Sequence, residues 1–139
     1  MISSDNKVYE IFNETLSNFI KDLIIVFPCD NDFKLFRASS KIIRLASIKK
    51  PLELFNLGLT KEFKRNIRDK NEDFFLKNDY NDVLNNDNIQ SMTNNNQDIN
   101  NKLILKLKKY WIDLNEENKI IVWDYFTVLL KLCDKVYVD

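Results

Sequence analysis

The chain has 139 residues, of which 45% are hydrophobic, and its 21 basic and 21 acidic side chains cancel to a net charge of zero. This length fits one domain with a sizeable core, while the balanced charge and a pI near 6.3 argue against a dedicated nucleic-acid-binding domain, which is usually basic throughout. One Gly and two Pro leave few tight turns, which argues against a turn-rich sheet fold and predicts long helices.

The first predicted helix is marked by large apolar residues that recur at steps of three and four from Val8 to Phe27. Pro28 ends it, because the residue before a proline is disfavoured in the α region. Asp30 or Asn31 can cap a second helix. The inward face of this second helix is predicted to hold five apolar residues: Leu35, Phe36, Ile42, Ile43 and Ala46.

A third helix is predicted to open with Pro51 at its first position. Its inward face would include Leu57, and Gly58 would form a C-cap or a kink before the helical spacing resumes with Phe63 and Ile67. Residues 71–83 mix acidic and aromatic side chains, which indicates a short helical turn. Residues 85–101 hold eight Asn and few apolar side chains, so we expect a mobile loop there.

Helical spacing returns between residues 99 and 114, and Asn115 is a suitable N-cap for a last helix. Trp111 and Trp123 lie on apolar stripes, so we expect both in the core rather than at an exposed binding site. Between residues 120 and 133 only Asp124, Thr127 and Lys131 are strongly polar, and a helix with one thin polar stripe is nearly surrounded by protein. The sequence therefore predicts an all-α fold: one domain over residues 1–139, a bundle of five to six helices around a near-buried C-terminal helix.

Most catalytic apparatus is missing from the sequence. The chain has no His, which removes the commonest general base and the usual imidazole metal ligand. Cys29 and Cys133 are too few for a structural zinc site and are expected to stay reduced. The only glycine cannot form a phosphate-binding loop, and the acidic residues between 72 and 82 are typical of a solvated loop. We expect no enzyme of a familiar kind, no cofactor, no metal and no small-molecule substrate.

Membrane insertion and secretion are not predicted either. The longest uninterrupted apolar run, residues 23–27, is far too short to cross a bilayer. No basic segment followed by an apolar run opens the chain, as a signal peptide requires. We therefore expect an intracellular, reducing location.

Charge is unevenly spread along the chain. Residues 31–70 carry eleven basic and four acidic side chains, a balance of +7, whereas residues 71–100 carry one basic and six acidic. The basic side chains recur at helical spacing, and they are the candidate phosphate- or partner-binding residues: Lys34, Arg37, Lys41, Arg44, Lys61, Lys64, Arg65 and Arg68. The alternative is an ordinary solvated face, which the zero net charge and the lack of interleaved aromatics favour.

Several segments carry a family resemblance: Phe12-Asn13-Glu14-Thr15-Leu16, Phe19-Ile20-Lys21-Asp22-Leu23, Phe27-Pro28, Asp32-Phe33-Lys34-Leu35-Phe36, Phe74-Phe75-Leu76 with Asp79-Tyr80, and Glu116-Glu117-Asn118-Lys119 with Trp123. Together they resemble short proteins of nucleocytoplasmic large DNA viruses. The resemblance implies a viral protein located in the host cytoplasm or the virion, and it supplies no catalytic residues. The Asn-rich stretch and Cys29 depart from the usual pattern.

Two functions remain open. The first is a non-enzymatic module that binds a protein partner (itself, a viral protein or a host protein), as a virion component or a host-directed regulator, through a groove or an exposed apolar patch. The second is a nucleic-acid-binding protein that uses the basic residues between 34 and 68. A helical mimic of apoptosis regulators is a weaker hypothesis, which depends on size, helix count and the viral resemblance.

Overall fold

The computed structural model describes residues 2–58, 61–73, 103 and 106–137, and in these parts of the chain all regular structure is helical. Residues 106–110 are helical as well. In chain order, the described residues form α1 (Ile2–Val26), α2 (Asn31–Ala46), α3 (Lys50–Gly58), α4 (Lys61–Arg68), a 3₁₀ turn (Trp111–Asp113) and α5 (Glu116–Val136). The predicted all-α bundle is confirmed. The predicted loop at 85–101 and most of the predicted turn at 71–83 lie outside the described residues.

The helix ends follow local sequence. Helix α1 ends at Val26, two residues before Pro28. Asp30 is the N-cap of α2, and its Oδ1 accepts a hydrogen bond from the backbone amide of Asp32 at 2.9 Å. Asn115 caps α5 in the same way, through the amide of Asn118. Each cap satisfies an amide that the first helical turn leaves without a partner. The predicted end of α1 and the predicted starts of α2 and α5 are therefore confirmed.

Helix α3 begins at Lys50, one residue before the predicted opening, and ends at Gly58. Pro51 therefore lies inside the first turn, where its missing N–H removes no intrahelical hydrogen bond. The amide of Asn13 on α1 donates to the carbonyl of Ile48 at 3.1 Å, which ties the turn before α3 to the first helix. Asn13 is 5% exposed, and its bond to the half-buried Ile48 is partly shielded from solvent.

The core forms where α1 and α5 pack against each other, with α3 and α4 added to their sides. The ring of Phe19 stacks on Tyr125 with centroids 4.8 Å apart and meets Phe126 edge to face at 5.4 Å. Helix α4 joins through Phe63, which packs edge to face on Phe126, and α3 joins through Phe55, whose ring lies against α1. Aromatic side chains carry large apolar areas, so these contacts contribute much of the burial that holds the bundle together.

The inward face of α2 differs from the prediction. Its buried residues are Phe33, Phe36 and Ile43, whereas Leu35, Ile42 and Ala46, which were predicted to point inward, are exposed. At about 100° per residue, Leu35 and Ile42 lie roughly a quarter turn from Phe36 and Ile43, and burying two aromatic rings removes more apolar area from water. The prediction for Leu57 on α3 is wrong as well, since 66% of that residue is exposed.

Helix α5 buries one broad side against α1, α3 and α4. Asp124 and Lys131 face solvent as predicted, and the hydroxyl of Thr127 donates to the carbonyl of Trp123. The exposed strip is wider than three polar positions indicate, because apolar residues lie on it too: Ile120, Ile121 and Val128. Trp111 and Trp123 are buried and pack edge to face with centroids 5.1 Å apart, so the predicted core role of both is confirmed.

Candidate partner-binding surface

The solvent-facing side of α2 carries a row of apolar residues. Leu35, Ile42 and Leu45 are 61%, 67% and 75% exposed, and Ala38 lies between them. We call Leu35, Ala38, Ile42 and Leu45 the outer stripe. Their steps of three, four and three residues are those of the a and d positions of a coiled coil, which align along one line of a helix. The outer stripe therefore has the spacing with which one helix packs along another.

Basic side chains run beside the outer stripe. Lys34 and Lys41 each precede a stripe residue by one position, which is the flanking g position of a coiled coil. Arg37 is exposed on the same side, while Arg44 is half-buried toward the protein. Among the carboxylates of the described segments, no ion pair with these four side chains is present. We call Lys34, Arg37 and Lys41 the basic flank, and it leaves positive charge along one edge of the stripe.

The other four candidate cations lie on α4, which packs against α5, whereas α2 packs against α1 and α3. Lys61 and Arg65 are exposed. Lys64 donates to Oδ1 of Asn56 at 2.8 Å, and Arg68 contacts both oxygens of Asp134 at 2.9 and 3.0 Å. The structure thus gathers one group of four on α2 and another on α4, and it commits Arg68 to a carboxylate of the protein itself.

Lysines recur at the same helical spacing at positions 102, 106 and 109, but Lys106 and Lys109 do not form a free cationic surface. Position 102 lies outside the described residues. The Nζ of Lys106 contacts Oδ2 of Asp30 at 3.0 Å and of Asp32 at 2.8 Å, and Lys109 lies over the ring of Tyr110. Burial alone would lower the pKa of Lys106, but the hydrogen bonds that it donates to the carboxylates of Asp32 and Asp30 outweigh this effect and raise the pKa to about 12.

Asp30 is the centre of a polar cluster that sequence reasoning missed. Besides capping α2, its carboxylate accepts from Lys106 and from the phenol of Tyr110 at 2.5 Å. Burial would raise its pKa, but the hydrogen bonds from Tyr110, Lys106 and the amide of Asp32 lower it to about 2. Lys106 and Tyr110 follow Asp30 in the sequence by 76 and 80 positions, so only the capping bond could be predicted from local sequence. The cluster has a structural role, because it holds distant segments of the chain together.

A second unexpected pair joins α1 to α5. The phenol of Tyr125 donates to Oδ2 of Asp22, and burial together with this hydrogen bond raises the pKa of Tyr125 to about 12. Within the described ranges, no three Cys, Asp or Glu side chains gather as metal ligands would. None of the helices described is long and apolar enough to span a membrane. The outer stripe with its basic flank is therefore the candidate partner-binding surface.

Comparison of this chain with models of known protein families, with curated proteins and with solved structures finds no match.

Proposed function

We propose that this chain is a non-enzymatic helical module that binds another protein along the solvent-facing side of α2. The observation that carries the proposal is the outer stripe: three large aliphatic side chains, each more than half exposed, at coiled-coil spacing on a helix whose opposite side is fixed in the core. Single exposed apolar residues are ordinary, but an aligned row on one helix is typical of an interaction site.

The charge beside the stripe specifies the chemistry of the partner. Lys34 and Lys41 would meet the flanking positions of a helix packed along α2, so acidic residues are favoured there. Two α2 helices packed antiparallel would bring these lysines together, which is unfavourable. The expected partner surface is therefore apolar with an acidic border.

The setting that we propose follows the viral resemblance: the cytoplasm of an infected cell or the virion, with a second copy of the chain, another viral protein or a host protein as partner. The absence of histidine and of a phosphate-binding loop supports a binding role rather than catalysis.

The test is quantitative capture from infected or expressing cells with three forms of the tagged protein. These are the wild type, a variant with Leu35→Ser, Ile42→Ser and Leu45→Ser, and a control with Leu57→Ser. All four positions are exposed, so the variants should fold, which circular dichroism and urea unfolding check. We expect at least one protein whose recovery falls about tenfold or more with the triple variant and not with the control, a change of about 1.4 kcal/mol in binding free energy. Equal recoveries for all three forms would remove the proposal.

Nucleic-acid binding is the second candidate, and it is favoured because no carboxylate in the described part of the chain forms an ion pair with the basic flank. The outer stripe argues against this candidate, because exposed Leu and Ile side chains do not contribute to phosphate binding. A mobility-shift titration with duplex DNA, single-stranded DNA and RNA at two salt concentrations tests it. Binding that weakens with salt, and also with Lys34→Gln, Arg37→Gln and Lys41→Gln, would support this candidate. No shift at low salt would end it, because phosphate contacts are strongest there.

A further inference from the structure

A second apolar surface lies between the C-terminal half of α1 and the start of α5. A cavity of about 240 Å³ opens there, and its wall is mostly aliphatic and aromatic, with Asp22 and Asn118 as the polar exceptions. Ile25, Val26 and Ile121 form its exposed edge. Pockets for small-molecule ligands usually measure roughly 300–1,000 Å³, so this cavity is better matched to an aliphatic side chain from a docking protein.

The border of this cavity is acidic. Asp22 lies in its wall, and Glu117 and Asp124 are exposed four residues before and three residues after Ile121, on the same side of α5. Among the residues that the structure describes, none of those lining the cavity is Lys or Arg. Lys21, the neighbouring base on α1, lies about 100° around the helix from Asp22. The cavity and its border are thus apolar with negative flanks.

These properties are complementary to those of α2. The outer stripe offers protruding aliphatic side chains beside the positive charges of Lys34 and Lys41, whereas the cavity offers an apolar recess beside three carboxylates. Helix α2 holds its Phe33 and Phe36 side in the core, so its outer stripe cannot turn into the cavity of the same molecule. A contact between the two surfaces therefore requires two molecules.

We propose that the partner of the outer stripe is a second copy of this chain, which receives Leu35, Ile42 or Leu45 in its cavity between α1 and α5. This inference rests on the proposed function and names its partner. The contact is head-to-tail, so a pair keeps one unused stripe on one molecule and one unused cavity on the other, and assembly continues into a ring or an open chain. A net charge of zero removes the general repulsion between copies that would oppose it.

The first experiment is sedimentation velocity of the purified full chain at concentrations up to about 1 mM, in salt of about 0.05 M and about 0.5 M. We expect species larger than the monomer that grow with concentration and weaken at the higher salt. The Leu57→Ser control should assemble like the wild type. A wild type that stays monomeric at the highest concentration and lowest salt overturns the inference.

The second experiment separates head-to-tail pairing from other modes. One variant loses the stripe (Leu35→Ser, Ile42→Ser, Leu45→Ser) and the other loses the cavity edge (Ile25→Ser, Ile121→Ser). Each alone should be monomeric, but a mixture should form a one-to-one dimer, because each still carries one intact surface. A cavity variant that assembles alone would show pairing through α2 itself, and a mixture without dimer would also contradict the head-to-tail contact.

A charge exchange adds a test that a folding defect cannot imitate. Lys34→Glu with Lys41→Glu should weaken assembly about tenfold, since like charges then face each other. Mixing that variant with one carrying Glu117→Lys and Asp124→Lys should restore pairing between the two, and no restoration would contradict the proposed contact. If copies do not assemble while capture of a partner from cells still depends on the outer stripe, self-association is wrong and the proposed function is still supported. If neither assembly nor capture depends on the outer stripe, both self-association and the proposed function are wrong.

Discussion

The phenol of Tyr110 donates to Oδ2 of Asp30 at 2.5 Å, a bond between the N-cap of α2 and a residue 80 positions later in the chain. Lys106 contacts the same oxygen at 3.0 Å, and the ring of Phe27 stacks on Tyr110 with centroids 4.4 Å apart. One carboxylate therefore fixes the start of α2 to the segment that leads into α5. The Asp30 side chain is 11% exposed, and hydrogen bonds are stronger where little water reaches them.

The first prediction concerns the acid side of the stability profile. The pKa of Asp30 is about 2 in the folded protein against an ordinary value of 3.8, so its contribution is complete above pH 3.8 and is lost as the pH falls toward 2. Asp30→Asn keeps a good N-cap but removes the charge, and we expect a loss on the order of 2 kcal/mol at pH 7. Urea unfolding from pH 7 to pH 2 measures it.

The matched control is Asp113→Asn, at an exposed carboxylate in the 3₁₀ turn. It should leave the unfolding free energy nearly unchanged. The difference between wild type and Asp30→Asn should also shrink below pH 4. A difference that stays constant down to pH 2 would mean that the charge of Asp30 does not stabilise the fold.

The second prediction concerns Asn13, whose buried amide donates to the carbonyl of Ile48. Asn13→Asp places a carboxylate oxygen where the donor was, opposite another acceptor, and we expect a loss of about 3 kcal/mol at pH 7. The loss should decrease as the pH falls, because a protonated carboxyl group can donate to Ile48 again. Chemical denaturation between pH 7 and pH 4 tests both statements. Asn18→Asp, at an exposed site on the same helix, should cost far less, and equal losses at the two sites would show that the bond to Ile48 is unimportant.

The helices and their ends could be predicted because their causes are local. Apolar spacing identified α1, the residue Pro28 identified its end, and the side chains of Asp30 and Asn115 identified two caps. The core role of Trp111 and Trp123 followed from their places on apolar stripes. These signals depend on a few neighbouring residues, so they do not change with the packing of the rest of the chain.

The orientation of α2 could not be predicted in the same way, because apolar residues lie on two sides of that helix. Spacing alone does not decide whether the side with Leu35 and Ile42 or the side with Phe33 and Phe36 faces the core. The choice depends on the shape of α1 and on the rings of Phe27 and Tyr110 that meet Phe33. The outer stripe could not be predicted for the same reason, because it can be recognised only when the inward side of α2 is known. The basic flank was found from spacing, but the commitment of Lys106 and Arg68 to distant carboxylates was not.

The third prediction separates the two cysteines by reactivity. Both are free thiols, with Cys29 exposed and Cys133 buried. Burial raises the pKa of Cys133 to about 12, the carboxylate of Asp134 adds to the increase, and Lys64 opposes it. Since the thiolate is the reactive form, a thiol reagent at pH 8 should label one group per folded chain rapidly and the second only after unfolding. Cys29→Ser should abolish the rapid phase, and rapid labelling of that variant would contradict the buried position of Cys133.

The last prediction concerns the end of α4, where Lys70 has a positive φ of 52°. The amide of Lys70 donates to the carbonyl of Ile67, and that of Asn71 donates to the carbonyl of Asn66, the pair of bonds that defines a Schellman motif with Lys70 at the left-handed position. Glycine adopts this conformation without the strain that a Cβ atom causes.

Lys70→Gly should therefore raise the unfolding free energy by about 0.5–1 kcal/mol, which urea denaturation at pH 7 can resolve. Lys70→Ala removes the same charge but keeps the Cβ atom, so it should give no such gain. Asp69→Gly, one position earlier and at negative φ, should destabilise the helix end instead. If Lys70→Gly and Lys70→Ala have the same effect, the gain comes from the lost charge and the backbone at this turn is not strained.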